Sequence, residues 1–194
     1  EFSTHQIESD KSIFIALIYP LEDQRDIKRF IDDAKMKFPK ATHYCSASIF
    51  GPSMEHQTAN DDGEPLRTAG YPILEVLKHH DLTNILCVVI RYFGGIKLGA
   101  GGLVRAYAKA TSEVLKKVTF YHKRIVPTIR ITFDYAHIHV IDKYFEDKAD
   151  LTDKIYDERV HYTLVFKDDT PFILDEITYL LHGVEHLGFT TRYE

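Results

Sequence analysis

Apolar residues fall along this chain in two rhythms, short unbroken runs and longer stretches with apolar positions every three or four residues. "KSIFIALIYP" is a run closed by Pro20 and predicts a strand; "LEDQRDIKRFIDDAKMKFP" then sets Ile27, Phe30, Ile31, Ala34 and Phe38 at helical spacing, with Pro39 as the stop. "THYCSASIF" predicts a second strand ending at Gly51-Pro52. A polar loop follows, then "YPILEVLKHH", a short helix that Pro72 can open because a first-turn proline lacks only a donor the helix would not use. "NILCVVIRYF" is apolar and β-branched on both parities, the mark of a central strand buried on both faces. From Gly101, "GGLVRAYAKATSEVLKKV" carries Leu103, Tyr107, Ala110, Val114 and Val118 on one side and Arg105, Lys109, Ser112, Glu113 and Lys116 on another, predicting an amphipathic helix with a basic outer face.

After the basic "YHKR" the pattern restarts. "IVPTIRITFDY" predicts a strand, "AHIHVIDKYFEDK" a helix, "DLTDKIYDERVHYTLVFK" two strands, and "TPFILDEITYLLHGVEHL" a closing helix. The whole is of the α+β class, and the expected division is residues 1–125 and 126–194, with an exposed basic linker near Tyr121 to Val126. With 194 residues, 44% of them hydrophobic, the chain can bury two modest cores.

Charge sharpens the division. The net of −5 separates into +2 for residues 1–125 and −7 for residues 126–194. Residues 91–125 hold Arg91, Lys97, Arg105, Lys109, Lys116, Lys117, Lys123 and Arg124 against Glu113 alone. No run approaches the roughly 20 apolar residues of a membrane span, and the first residues lack the character of a signal peptide, so a cytoplasmic protein with no membrane partner is expected. Cys45 and Cys87 sit in apolar stretches without CxxC spacing and read as buried reduced thiols.

Two stretches carry candidate chemistry. "NDDGEPLRTAG", Asn60 to Gly70, packs Asp61, Asp62, Glu64, Arg67 and Thr68 into a loop with little that can enter a core. Asp61 can cap a turn there, with Gly63 and Gly70 at positive φ; the three carboxylates are also oxygen ligands suited to a divalent cation, but their spacing is not that of a calcium loop, and no metal or other cofactor is expected. "RYFGGIKLGAGGLVRAY" joins the buried strand to the basic helix through Gly94, Gly95, Gly99, Gly101 and Gly102. Backbone N–H groups freed by glycines can face an anion, with Lys97 and Arg105 adding full charges; tight turns and close packing account for glycines equally, and the spacing is neither a Walker loop nor a dinucleotide fingerprint. Tyr92, Phe93 and Tyr107 flank this loop and can stack on bases. His43 and Cys45 alternate onto one strand face, a conceivable nucleophile pair for which buried packing is the better reading.

"THYCSA", "DDGEPLRTAGYPILEVL" and "NILCVVIRYFGGIKLGAGGLVRAYAKA" together resemble the YigZ/Impact family, in order and spacing along most of residues 11–125. The resemblance implies an amino-terminal domain like the second domain of a small-subunit ribosomal protein and domain IV of elongation factor G, followed by a ferredoxin-like carboxy-terminal α/β sandwich. Eukaryotic relatives regulate translation by competing for the activator of a starvation-responsive kinase, whereas for bacterial members the resemblance implies no particular activity. This chain departs from the family at Leu66-Arg67, where Ser-Gly is usual before "TAG", and at Ile13, where Arg is common.

The expected function is therefore a binding or regulatory protein of the translation apparatus, meeting RNA or a ribosome-associated protein through the glycine loop and basic helix. The expected ligand-binding residues are Asp61, Asp62, Glu64, Thr68, Arg91, Tyr92, Gly94, Gly95, Lys97, Gly99, Gly101, Gly102, Arg105 and Lys109, with no catalytic residue assigned. The alternatives are an enzyme acting on a phosphorylated small molecule at the glycine loop and a protein-binding adaptor using the acidic second domain. Oligomeric state is not legible.

Overall fold

The computed structural model describes residues 3–167 and 174–193, and the chain divides into two compact units, Glu1–Thr119 and Phe120–Glu194. The first unit holds a five-stranded antiparallel sheet of β1 (Ser3–Ser9), β2 (Ser12–Pro20), β3 (His43–Phe50), β4 (His56–Asn60) and β5 (Ile85–Tyr92), in the order β1-β2-β5-β3-β4. β5 is central, and its register with β2 pairs Ile15 with Ile90 and Leu17 with Val88.

The two parities of β5 build two cores. Cys87 and Val89 pack with Phe14, Ala47 and Ile49 beneath α2 (Gly70–His79) and α3 (Gly99–Leu115). Leu86, Val88 and Ile90 pack with Leu17 and Tyr19 beneath α1 (Ile27–Lys37), whose Ile27, Phe30, Ile31 and Ala34 supply the facing stripe. A continuous apolar strand is what a sheet covered on both faces requires, and the central position expected for "NILCVVIRYF" is the observed one.

Two strands lie where the sequence pattern is silent. β1 has one aliphatic residue, Ile7, and is held at the sheet edge by a two-residue turn in which Asp10 and Lys11 both take positive φ, the geometry that matches strand twist. β4, "HQTAN", is exposed throughout and exists as the hairpin partner of β3. Both are edge strands with little to bury, so alternation is absent from them.

In the second unit, β6 (Lys123–Phe133), β7 (Ala149–Tyr156), β8 (Val160–Phe166) and β9 (Leu181–Tyr193) form an antiparallel sheet in the order β7-β8-β6-β9, with α4 (Ile138–Phe145) between β6 and β7. This is the ferredoxin-like strand order, with the last strand beside the first. Ile129, Ile131, Phe133, Ile141, Phe145, Tyr162 and Leu164 fill its core. The helix expected over 170–187 is corrected here. Residues 168–173 lie outside the described residues, Thr178–Leu180 form one 3₁₀ turn, and from Leu181 the chain is strand. The apolar spacing of Ile177, Leu181, Val184 and Leu187 mimics a helix face, but Gly183 and Gly188, the latter at φ +103°, and the β-branched Val184, Thr190 and Thr191 favour extension along β6.

Candidate functional site

The acidic loop begins where β4 ends and closes on the first turn of α2. Asp61 anchors it: Oδ1 accepts from the N–H groups of Ala69 (3.0 Å) and Gly70 (2.8 Å), and Oδ2 from that of Arg67 (2.8 Å). Ala69 itself offers no capping side chain, so a carboxylate eight residues upstream satisfies orphan donors at the helix start and sits at the positive end of its dipole. Gly70 is required by proximity, since a Cβ there would lie 2.4 Å from the Asn60 backbone nitrogen. Gly63 takes φ +85° as expected; Gly70 does not take positive φ, and its reason is this close approach. Thr68 is buried and donates its hydroxyl to the Pro65 carbonyl at 2.6 Å.

Asp62 turns back onto β3, where its Oδ2 accepts from the Tyr44 N–H at 2.6 Å and its carbonyl lies 2.7 Å from His43 Nδ1. Glu64 is the buried member. Its Oε1 accepts from Arg91 Nη1 at 2.6 Å and from the Tyr107 hydroxyl at 2.8 Å, while Oε2 lies 3.8 Å from His43 Nε2. Arg91, also buried, donates from Nη2 to Ser12 Oγ at 3.3 Å, and its guanidinium lies 5.4 Å from the ring centres of Phe14 and Phe93. Glu64 thus ties the loop to the end of β5 and the third turn of α3. A buried charge pair needs further hydrogen bonds, and Glu64 gains one from the Tyr107 hydroxyl and Arg91 one to Ser12, while the buried Arg91 Nε has no hydrogen-bond partner among the described residues.

Two aromatic and thiol expectations resolve differently. Tyr107 does not flank the loop as a stacking platform: it is fully buried, edge-on to Phe14 at 5.1 Å, because its ring faces the sheet while its hydroxyl reaches Glu64. Tyr92 is half-buried, donating its hydroxyl to the Pro39 carbonyl, and Phe93 is exposed. The Cys45 Sγ lies 2.9 Å from the Asp61 carbonyl oxygen and 3.3 Å from the Tyr107 oxygen, two acceptors that share its single S–H. Burial pushes its pKa well above that of a free thiol, with the nearby Glu64, Asp62 and Asp61 charges adding to the shift, so the group stays protonated and serves as packing.

The glycine loop divides by task. Gly94 presses on the β1–β2 turn, where a Cβ would meet the Lys11 carbonyl oxygen at 2.0 Å, and its N–H donates to Ser12 Oγ. Gly95 and Gly99 take φ of +88° and +70° in open space; Gly101 and Gly102 lie in the first turn of α3. Lys97, Arg105 and Lys109 are exposed and, among the described residues, make no ion pair. Leu98, Gly102, Arg105 and Lys109 wall one side of a cleft of about 180 Å³ whose other side is Ile7 to Asp10 of the β1 hairpin. The +7 stretch is therefore not one surface: Arg91 is neutralised by Glu64, Lys116 pairs with Glu113 at 2.7 Å, and Lys123 and Arg124 belong to β6.

What the structure brings together is Asp61, Glu64, Arg91 and Tyr107 as an inward-facing latch, with the exposed Asp62 bonded back onto β3, and Arg105 and Lys109 as outward cations of α3, preceded by the exposed Lys97 on the glycine loop. His43 and Ser12, absent from the expected set, join the latch through contacts 19 and 79 residues distant in sequence, which no local pattern signals. Among the described residues no group of three or more His, Cys, Asp and Glu is placed to hold a metal, and no helix is long and apolar enough to cross a membrane.

The Impact N-terminal domain is matched over residues 10–115, the span that contains the latch and the glycine loop. This chain belongs to the Impact family. The family member YvyE of Bacillus subtilis is 38% identical over 185 residues, covering 94% of this chain and 85% of that protein. YigZ of Escherichia coli is 34% identical over 137 residues, covering 70% and 67%. The crystal structure of a hypothetical protein overlays with a TM-score of 0.62 at 27% identity, covering 92% of this chain and 85% of that one. That overlay reaches beyond the Impact-matched segment into the second unit.

Proposed function

We propose that this protein is a binding or regulatory module of the translation apparatus that meets RNA or a ribosome-associated protein through the outward cations of the glycine loop and α3. The observation that carries this reading is the contrast within one end of the first unit. The acidic loop spends its carboxylates on backbone donors and Arg91, while Lys97, Arg105 and Lys109 stay exposed without an ion pair among the described residues. Unpaired cations on a rigid helix are suited to a polyanion or an acidic partner, and their spacing at one turn puts Arg105 and Lys109 on the same outer side. Membership of the Impact family, whose eukaryotic members regulate translation, supports the translation context.

The test is co-sedimentation with ribosomes from a bacterial cytosol, with and without ribonuclease treatment of the extract. Salt-sensitive association that is lost on charge reversal at Arg105 supports the reading, and salt-insensitive or absent association defeats it. A small-molecule reading has one observation in its favour, the cleft lined by Arg105 and Lys109 beside the start of α3. A rise in melting temperature with nucleotides or sugar phosphates would select it instead.

A further inference from the structure

We propose that the end of the first unit built from the glycine loop, the first turns of α3 and the tip of the acidic loop docks an acidic, amphipathic protein segment. The inference rests on the binding reading above and names the chemistry of the partner. Leu66 is 86% exposed, Phe93 46%, Ile96 44% and Val104 38%. Glu64 links three of them: it stands two residues before Leu66, its Oε1 holds Arg91 two residues before Phe93, and the same oxygen holds Tyr107 one turn after Val104; Ile96 stands on the glycine loop between Phe93 and α3.

Along the glycine loop and the first turns of α3 every charged residue is a cation, with Glu8 and Asp10 of the β1 hairpin facing Arg105 and Lys109 across the cleft. Arg67, Lys97 and Arg105 are exposed, and none makes an ion pair among the described residues; the Arg67 guanidinium lies over the Tyr71 ring at 4.1 Å. The carboxylates of the acidic loop, Asp61, Asp62 and Glu64, are turned onto the backbone N–H groups of residues 44, 67, 69 and 70 and onto Arg91, and the sequence has no acid from Arg91 to Ser112.

Aliphatic side chains set among cations match a partner that brings both carboxylates and apolar groups, since an interface gains most from a desolvated apolar centre inside a charged rim. An RNA strand supplies the charge and leaves Leu66, Ile96 and Val104 without a partner, because single-strand recognition draws on aromatic stacking rather than aliphatic contact.

Fluorescence anisotropy tests the assignment with three labelled probes: an amphipathic peptide of glutamate and leucine, a poly-glutamate peptide of equal charge, and an oligouridylate. The amphipathic peptide is expected to bind the full chain most tightly. Leu66→Ser and Ile96→Ser, both at exposed sites, should each weaken it by about tenfold and leave poly-glutamate unchanged, whereas Lys97→Glu should weaken both peptides. Tighter binding of oligouridylate than of the amphipathic peptide overturns the proposal, as does an affinity for that peptide indifferent to both serine variants or no binding of it at all. If oligouridylate binding still falls on Arg105→Glu, the partner chemistry alone is wrong; if no probe responds to that reversal, the binding reading falls with it.

Discussion

Glu64 has two different roles available to a carboxylate in a polar loop, and its neighbours decide between them. An exposed loop acid contributes within about 0.5 kcal/mol of stability, but Glu64 is buried against Arg91 and Tyr107. Glu64→Ala leaves the Arg91 charge buried without a counter-ion, which costs about 3–5 kcal/mol. The expected result is a large fall in melting temperature by calorimetry, with Asp62→Ala, whose carboxylate is exposed and meets one N–H, losing far less. Arg67 makes the opposite kind of prediction. It stands at φ +62°, in the region that favours glycine, at the position where the family usually has that residue. Arg67→Gly should therefore be tolerated to within about 0.5 kcal/mol, whereas the β-branched Arg67→Val should cost about 1–2 kcal/mol; equal losses for the two variants in denaturant melts would contradict the strain argument. The residue types of this site were legible in "NDDGEPLRTAG", and so was the turn-capping by Asp61. The inward aim of Glu64 was not, because it depends on Arg91 and Tyr107, brought close only by the sheet and α3.

At the scale of elements, legibility follows burial. β2, β3, β5 and the first three helices have faces to bury, and each shows its period in the sequence. β1 and β4 are edges with exposed or half-buried residues, and β9 carries a 3-4 apolar spacing that imitates a helix until Gly183 and Gly188 are weighed against it. Glycines of the connecting loop look alike in sequence and differ in surroundings. Gly94→Ala would drive a methyl group into the Lys11 carbonyl and pry the β1–β2 turn from the loop, with a cost of at least about 2 kcal/mol expected from overpacking against backbone. Gly95→Ala meets nothing within 4 Å and carries only the penalty of its positive φ, about 1 kcal/mol. Urea melts of the two variants rank them, and a Gly95 loss equal to or greater than that of Gly94 would contradict the packing account.

For the whole molecule, two cores belong to two units, and the residues from Val118 to His122 lie in no helix or strand, with Phe120 and Tyr121 exposed. Limited chymotrypsin digestion is expected to cut first at Phe120 or Tyr121 and to leave an amino-terminal fragment that still melts cooperatively; first cuts within residues 84–118 would contradict independent folding. The central claim is that binding resides in the outward cations while the acidic loop latches the fold. The measurement that tests it most directly is ribosome co-sedimentation at low salt for wild type, Arg105→Glu and Lys28→Glu. Lys28 is an exposed control on α1, across the sheet from α3. Arg105→Glu is expected to sediment several-fold less than wild type at an unchanged melting temperature, with a salt slope shallower by about one, and Lys28→Glu to match wild type. Equal sedimentation of all three proteins, or loss in step with a fall in melting temperature, would contradict the claim.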